Sequence, residues 1–228
     1  MKKLTSILIL SLAFVFTLGA QNKLPDKDWA NFGRYKNANE QVSTRPVAVL
    51  MGDSITDGWA RMDSTFFETY NLVGRGISGQ VTSHMLVRFR RDVVDLHPKY
   101  VVILAGINDI ARNNGKIELE NTMGNIISMC EIAKANKIKP VLCTMVPADH
   151  IQWRPALTDA KEQVAALNAL IKDYAAKNHL KVVDYTALMA DETGGTRKDL
   201  SNDSVHPTLD GYKLMEAELL RVLGIKAK

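Results

Sequence analysis

Four separated stretches carry residue types that chemistry uses. They are Gly52-Asp53-Ser54, Gly74-Arg75-Gly76-Ile77-Ser78-Gly79, Ala105-Gly106-Ile107-Asn108-Asp109 and Asn202-Asp203-Ser204-Val205-His206-Pro207. A serine hydroxyl attacks a carbonyl only when a base takes its proton and donors hold the oxyanion that forms. Ser54 is the candidate nucleophile and His206 the candidate base. Asp203 stands three residues before His206, so one turn places its carboxylate where it can hold the imidazole tautomer. The side-chain amide of Asn108 can donate to an oxyanion. Taken singly, each stretch has a plainer reading: Ser54 as a helix cap, Asn108 as a turn former, His206 as surface decoration. The other histidines fit helix, helix-end and turn positions at His84, His97 and His179.

The glycines at 74, 76 and 79 have the spacing of a dinucleotide-binding loop. However, they fall in the second strand unit, and the next strand ends in Ala105-Gly106 and not in an acidic residue for a ribose. They are read as a tight loop whose N–H groups approach a reacting oxyanion, and no cofactor is expected.

Such residues need a frame. Val47–Met51 is an apolar run that stops at Gly52, as a buried strand does. Further strand candidates are 71–75, 100–105, 139–144 and 180–184. All are short and continuously apolar, as strands covered on both faces are. Apolar residues recur at three and four over 80–95, 117–136, 157–178 and 208–223, the last opened by a capping Thr208. Strands alternating with helices imply a five-stranded parallel sheet with helices on both faces. The strands' carboxyl ends then share one edge, where ligands bind, and the four stretches converge there.

Together the four stretches resemble the GDSL or SGNH family of esterases and lipases. Gly-Asp-Ser-Ile-Thr at 52–56, Gly-Ile-Ser-Gly at 76–79, Gly-Ile-Asn-Asp at 106–109 and Asp-Ser-Val-His-Pro at 203–207 occur in the family's order. The resemblance implies a three-layer α/β/α, flavodoxin-like fold. It also implies ester hydrolysis without metal or cofactor by Ser54, His206 and Asp203, with an oxyanion hole from the N–H groups of Ser54 and Gly79 and the amide of Asn108. The Gly-x-Ser-x-Gly elbow of α/β-hydrolases is absent, since position 56 is Thr.

For the substrate, Asp57 and Trp59 follow the nucleophile, and His150, Trp153 and Arg154 lie in the loop after the fourth strand. Polar groups around an aromatic platform suit a sugar better than a long acyl chain. Asp149, the one carboxylate beside His150, is expected to point elsewhere in an extended chain. The expected activity is removal of short acyl groups, acetyl above all, from carbohydrates. Its rivals are a lysophospholipase or arylesterase, and a glycan-binding protein on an inactive esterase fold.

Lys2 and Lys3, the apolar run Ile7–Leu18 and Gly19-Ala20 form a secretory signal pattern over residues 1–20, so a secreted or periplasmic protein is expected. Residues 21–45 are read as an amino-terminal arm and 46–228 as one catalytic domain. Without the signal, 27 basic residues face 25 acidic ones, and no basic run points to nucleic acid. Arg88, Arg90 and Arg91 are read as a solvated helix face. Cys130 and Cys143 fall in apolar elements and read as buried free thiols.

Overall fold

The computed structural model describes residues 27–228. The signal segment and the start of the arm lie outside the described residues. Among those described, no helix is long and apolar enough to cross a membrane.

Five parallel strands form one sheet in the order β2-β1-β3-β4-β5. They are β1 (Ala48–Gly52), β2 (Leu72–Gly76), β3 (Tyr100–Leu104), β4 (Lys139–Cys143) and β5 (Lys181–Val183). Each lies within about a residue of its sequence expectation. β1 pairs with β2 on one side and β3 on the other, with Gly52 level with both Gly76 and Leu104. The chain therefore winds one way from β1 to β2, then the other way from β3 onward. That reversal makes a crevice beyond the carboxyl ends of β1 and β3.

One helical layer holds α4 (Thr82–Asp92), α6 (Leu119–Ala135) and α7 (Ala160–Lys177). The other holds α2 (Ser54–Met62), α3 (Ser64–Thr69), α8 (Tyr185–Met189) and α9 (Leu209–Leu223). Thr208 caps α9 by accepting from the Gly211 N–H. The short α3, α8 and α5 (Ile107–Ile110) span too few turns to show a period in sequence. The expected helix over 80–95 stops at Asp92, and a 3-10 turn over Val94–Leu96 follows.

The glycines of β2 serve packing. A Cβ on Gly74 would lie 2.8 Å from the Ala60 Cβ, and one on Gly76 would lie 2.2 Å from the Asp57 nitrogen. Their absence lets α2, which opens with Ser54, settle onto β2.

Arg88 corrects the solvated-face expectation. It is 0% exposed. The carboxyl ends of β1 and β2 carry carbonyls in a dry interior, and such groups need donors. The guanidinium donates to the carbonyls of Gly52 and Arg75 at 3.1 and 2.9 Å, to Gln80 Oε1 at 2.6 Å and to Asp92 at 2.9 Å.

The arm carries α1 (Lys36–Glu40) and packs against the end of β2. Tyr35 donates to the Gly76 carbonyl, Arg75 donates to Asn39 at 2.7 Å, and the Arg75 guanidinium lies 4.7 Å from the Tyr35 ring centre. Cys130 and Cys143 are both free and buried. Burial pushes the Cys130 thiol up to about 12 and the Cys143 thiol higher still, so neither is a ready nucleophile.

Candidate active site

The loop after β1 turns directly into α2. Asp53, not Ser54, is the N-cap: its carboxylate accepts from the Ile55 N–H at 3.0 Å. The Ser54 hydroxyl is thus spared capping duty and meets His206 Nε2 at 2.8 Å, although 152 positions separate the two. On the far side of the imidazole, Nδ1 meets Asp203 Oδ2 at 2.6 Å.

Local backbone geometry sets that pair. Asp203 Oδ1 accepts from the N–H groups of Val205 at 3.0 Å and His206 at 2.7 Å. Ser204 between them adopts a φ of 64°, and Ser201 donates to the His206 carbonyl at 2.8 Å. Burial raises the Asp203 carboxyl, but the His206 and Val205 N–H groups and the imidazole outweigh it, and the net shift is downward. An ionised Asp203 holds the proton on Nδ1 and leaves the Nε2 lone pair facing the serine.

Gly79 lies in the loop after β2 with a φ of 78°, and a Cβ there would meet nothing. The constraint is the left-handed backbone itself. Among the described residues, the N–H groups of Ser54 and Gly79 donate to no backbone carbonyl. Asn108, 2% exposed at the start of α5, donates through Nδ2 to the Gln80 carbonyl at 3.0 Å. Asp109 accepts the Thr82 N–H at 2.9 Å and its hydroxyl at 2.6 Å, so the β2 and β3 loops are tied together. Asp57 adds a second tie. It accepts from Ser78 at 2.8 Å and lies 3.3 Å from Arg34, which makes it a clamp on the glycine loop.

The other expected substrate contacts divide. Trp153 is half-buried, and its ring centre lies 5.8 Å from that of His206. Arg154 donates to the Ala111 carbonyl at 2.7 Å and fastens the same loop to α5. Trp59 is a core residue, a correction to its expected role. It is 1% exposed, stacks on Tyr212 at 5.6 Å and donates to Glu216 at 3.1 Å. It lies on the α2 face turned to α9, away from the crevice. Asp149 does not point away from His150 as expected; it meets Nδ1 at 2.8 Å, and the pair is exposed. Arg75 is buried on Tyr35 and Asn39.

Asp53 is fully enclosed beneath the site, and burial pushes its carboxyl up to about 6. The folded value lies above the unfolded one of roughly 3.9. This group's contribution to stability is therefore full below about pH 4 and is lost as pH rises through 6. Asp53→Asn keeps the capping oxygen and removes the charge. It should raise Tm at pH 8 and do so much less at pH 4.5, the difference being on the order of 2–3 kcal/mol. Equal gains at both pH values, by thermal denaturation, would exclude Asp53 as the titrating group.

A doubly wound sheet with this constellation at its reversal point has the form of an ester hydrolase. Residues 50–214 match the GDSL-like lipase/acylhydrolase family, and the chain belongs to it. A GDSL-like lipase of Bacteroides thetaiotaomicron is 42% identical in sequence, with a TM-score of 0.82 over 86% of this chain and 98% of that one. A protein of Bacteroides fragilis is likewise 42% identical, with a TM-score of 0.83 over 87% and 98%. The uncharacterized lipoprotein YqeF of Bacillus subtilis is 32% identical over 80 residues, which span a third of its length and 34% of this chain.

Proposed function

We propose that this chain is an exported serine esterase that removes short acyl groups, acetyl foremost, from carbohydrates. The observation that carries the proposal is the continuous contact Ser54–His206–Asp203, at 2.8 and 2.6 Å, beside the N–H groups of Ser54 and Gly79, which among the described residues donate to no backbone carbonyl. Ser54 Oγ attacks the acyl carbonyl as its proton passes to His206 Nε2. The oxyanion is held by those two N–H groups and by Asn108 Nδ2. The alkoxide leaves with the proton from His206, and a water activated by the same imidazole then releases the acid and restores Ser54.

Short acyl groups are favoured by the packing beneath the loop that carries Ser54. The cavity there, lined by Ile55, Ala105, Ile107, Met145 and Val205 among others, measures about 10 Å³, room for about one water, so a long acyl chain has no way into the core on that side. A cleft of about 470 Å³ lies at the opposite edge of the sheet around Tyr100, Pro140 and Leu180. A sugar is favoured by the Trp153 ring against His206, where a leaving alcohol would sit. Export is favoured by the amino-terminal pattern and by a relative named a lipoprotein.

The test pairs p-nitrophenyl esters of rising chain length with acetate release from a panel of O-acetylated glycans. Expected results are kcat/KM highest for acetyl and acetate release from at least one glycan. A preference for acyl chains of eight carbons or more would overturn the short-chain reading. Hydrolysis of the aryl ester with no glycan deacetylated would overturn the carbohydrate reading.

A further inference from the structure

Asn113 lies five residues beyond Asn108, outside the four stretches that resemble the family's. Its Nδ2 donates to Asn108 Oδ1 at 2.7 Å and lies 3.5 Å from the Gly79 carbonyl. Its Oδ1 accepts the Trp153 indole N–H at 3.1 Å. From these contacts we propose that Asn113 is a positioning residue for the oxyanion site: it fixes which way the Asn108 amide faces, and Trp153 in turn fixes Asn113. The proposal rests on the reading of Asn108 as an oxyanion donor.

A primary amide can be turned over with almost no change of shape. One orientation of Asn108 offers an N–H to the oxyanion, and the other offers an oxygen that repels it. The observed orientation is held at both ends. Asn108 Nδ2 spends one hydrogen on the Gln80 carbonyl and keeps the second, while Oδ1 takes the hydrogen of Asn113. Turned over, Asn108 would set oxygen against the Gln80 carbonyl and NH2 against the NH2 of Asn113.

Asn113 has the same ambiguity, and Trp153 resolves it. An indole nitrogen can only donate, so it must meet Asn113 Oδ1, and Nδ2 is left facing Asn108. The backbone supports the approach. The Asn113 N–H donates to the Asn108 carbonyl at 3.0 Å, and Arg112 takes a φ of 55° to close the turn, a conformation uncommon outside glycine. One indole thereby reaches both halves of the machinery. Its ring faces the base, and its N–H reaches the oxyanion donor through Asn113.

The test uses full-length variants assayed on p-nitrophenyl acetate, with Tm recorded for each. Asn113→Ala should lower kcat about 10- to 100-fold, somewhat less than the direct loss of an oxyanion donor, with KM within about twofold of wild type. Asn113→Asp has the same shape and still accepts from Trp153, but it turns an acceptor toward Asn108 Oδ1. It should fall below Asn113→Ala at unchanged Tm. Trp153→Phe keeps a ring beside His206 and removes the donor, so it should lower kcat severalfold.

The deciding measurement is a cycle with Asn108→Ala. In that background Asn113→Ala should cost nothing further. Losses that multiply, or a wild-type kcat in Asn113→Ala, would overturn the proposal. Ser54→Ala separates the two readings. Activity surviving in that variant would remove the serine site itself. An inactive Ser54→Ala and a crippled Asn108→Ala beside an unaffected Asn113→Ala would remove only the role of Asn113.

Discussion

Ser54→Ala is expected to lower kcat for p-nitrophenyl acetate by about 10⁴-fold or more, the scale on which loss of a nucleophile acts in serine hydrolases, while Tm stays within a degree or two of wild type. Both halves of the expectation come from the same turn. Ser54 opens α2, where a serine would ordinarily serve as a cap. The Ile55 N–H is instead satisfied by Asp53, so removing the Ser54 hydroxyl leaves no helical donor orphaned. What is lost is the 2.8 Å contact to His206 and the atom that would attack. A cap reading predicts the reverse, a loss of about 1 kcal/mol, or roughly 2–4 °C for a chain of this size, with activity retained. Thermal denaturation and steady-state kinetics on one preparation separate the two.

The sheet and the convergence of the four stretches were legible because their signals are local. A continuous apolar run that ends at glycine marks a strand, and parallel strands bring their ends together without further information. The pairing of Asp203 with His206 was legible for the same reason, since three residues and one turn suffice. Trp59 was misread because a tryptophan one turn past a nucleophile has the same composition whether it faces the crevice or α9. Only the Tyr212 ring and Glu216, 157 positions from it in sequence, settle which. Asn113 was passed over because an asparagine near a glycine looks like turn chemistry. Its partner Trp153 lies 40 residues on, and no periodicity links them. Arg88 was misplaced because a helix rich in arginine reads as solvated. The two carbonyls it donates to belong to strands whose ends meet only in the folded sheet.

Arg88→Leu should therefore be among the most damaging substitutions outside the proposed catalytic residues. It takes the paired guanidinium from Asp92, which is 1% exposed and retains the Asn39 amide, at 2.9 Å. It also leaves the Gly52 and Arg75 carbonyls without the guanidinium that served both. Breaking a buried ion pair from one side costs about 3–5 kcal/mol, which corresponds to a fall in Tm of roughly 6–20 °C. Activity should fall in the surviving folded fraction too. Gln80 loses the Arg88 contact to its side chain, and its backbone carbonyl is what holds Asn108. Arg88→Leu/Asp92→Leu removes the stranded carboxylate and should regain part of the stability but none of the activity, because the Gln80 side-chain oxygen still lacks its guanidinium. Thermal denaturation of the three proteins, read beside their kcat values, tests both claims. A fall in Tm below 3 °C for the single variant would mean that water reaches the strand ends once the guanidinium is gone. The site would then be held by its loops alone and not by the charge buried beneath it.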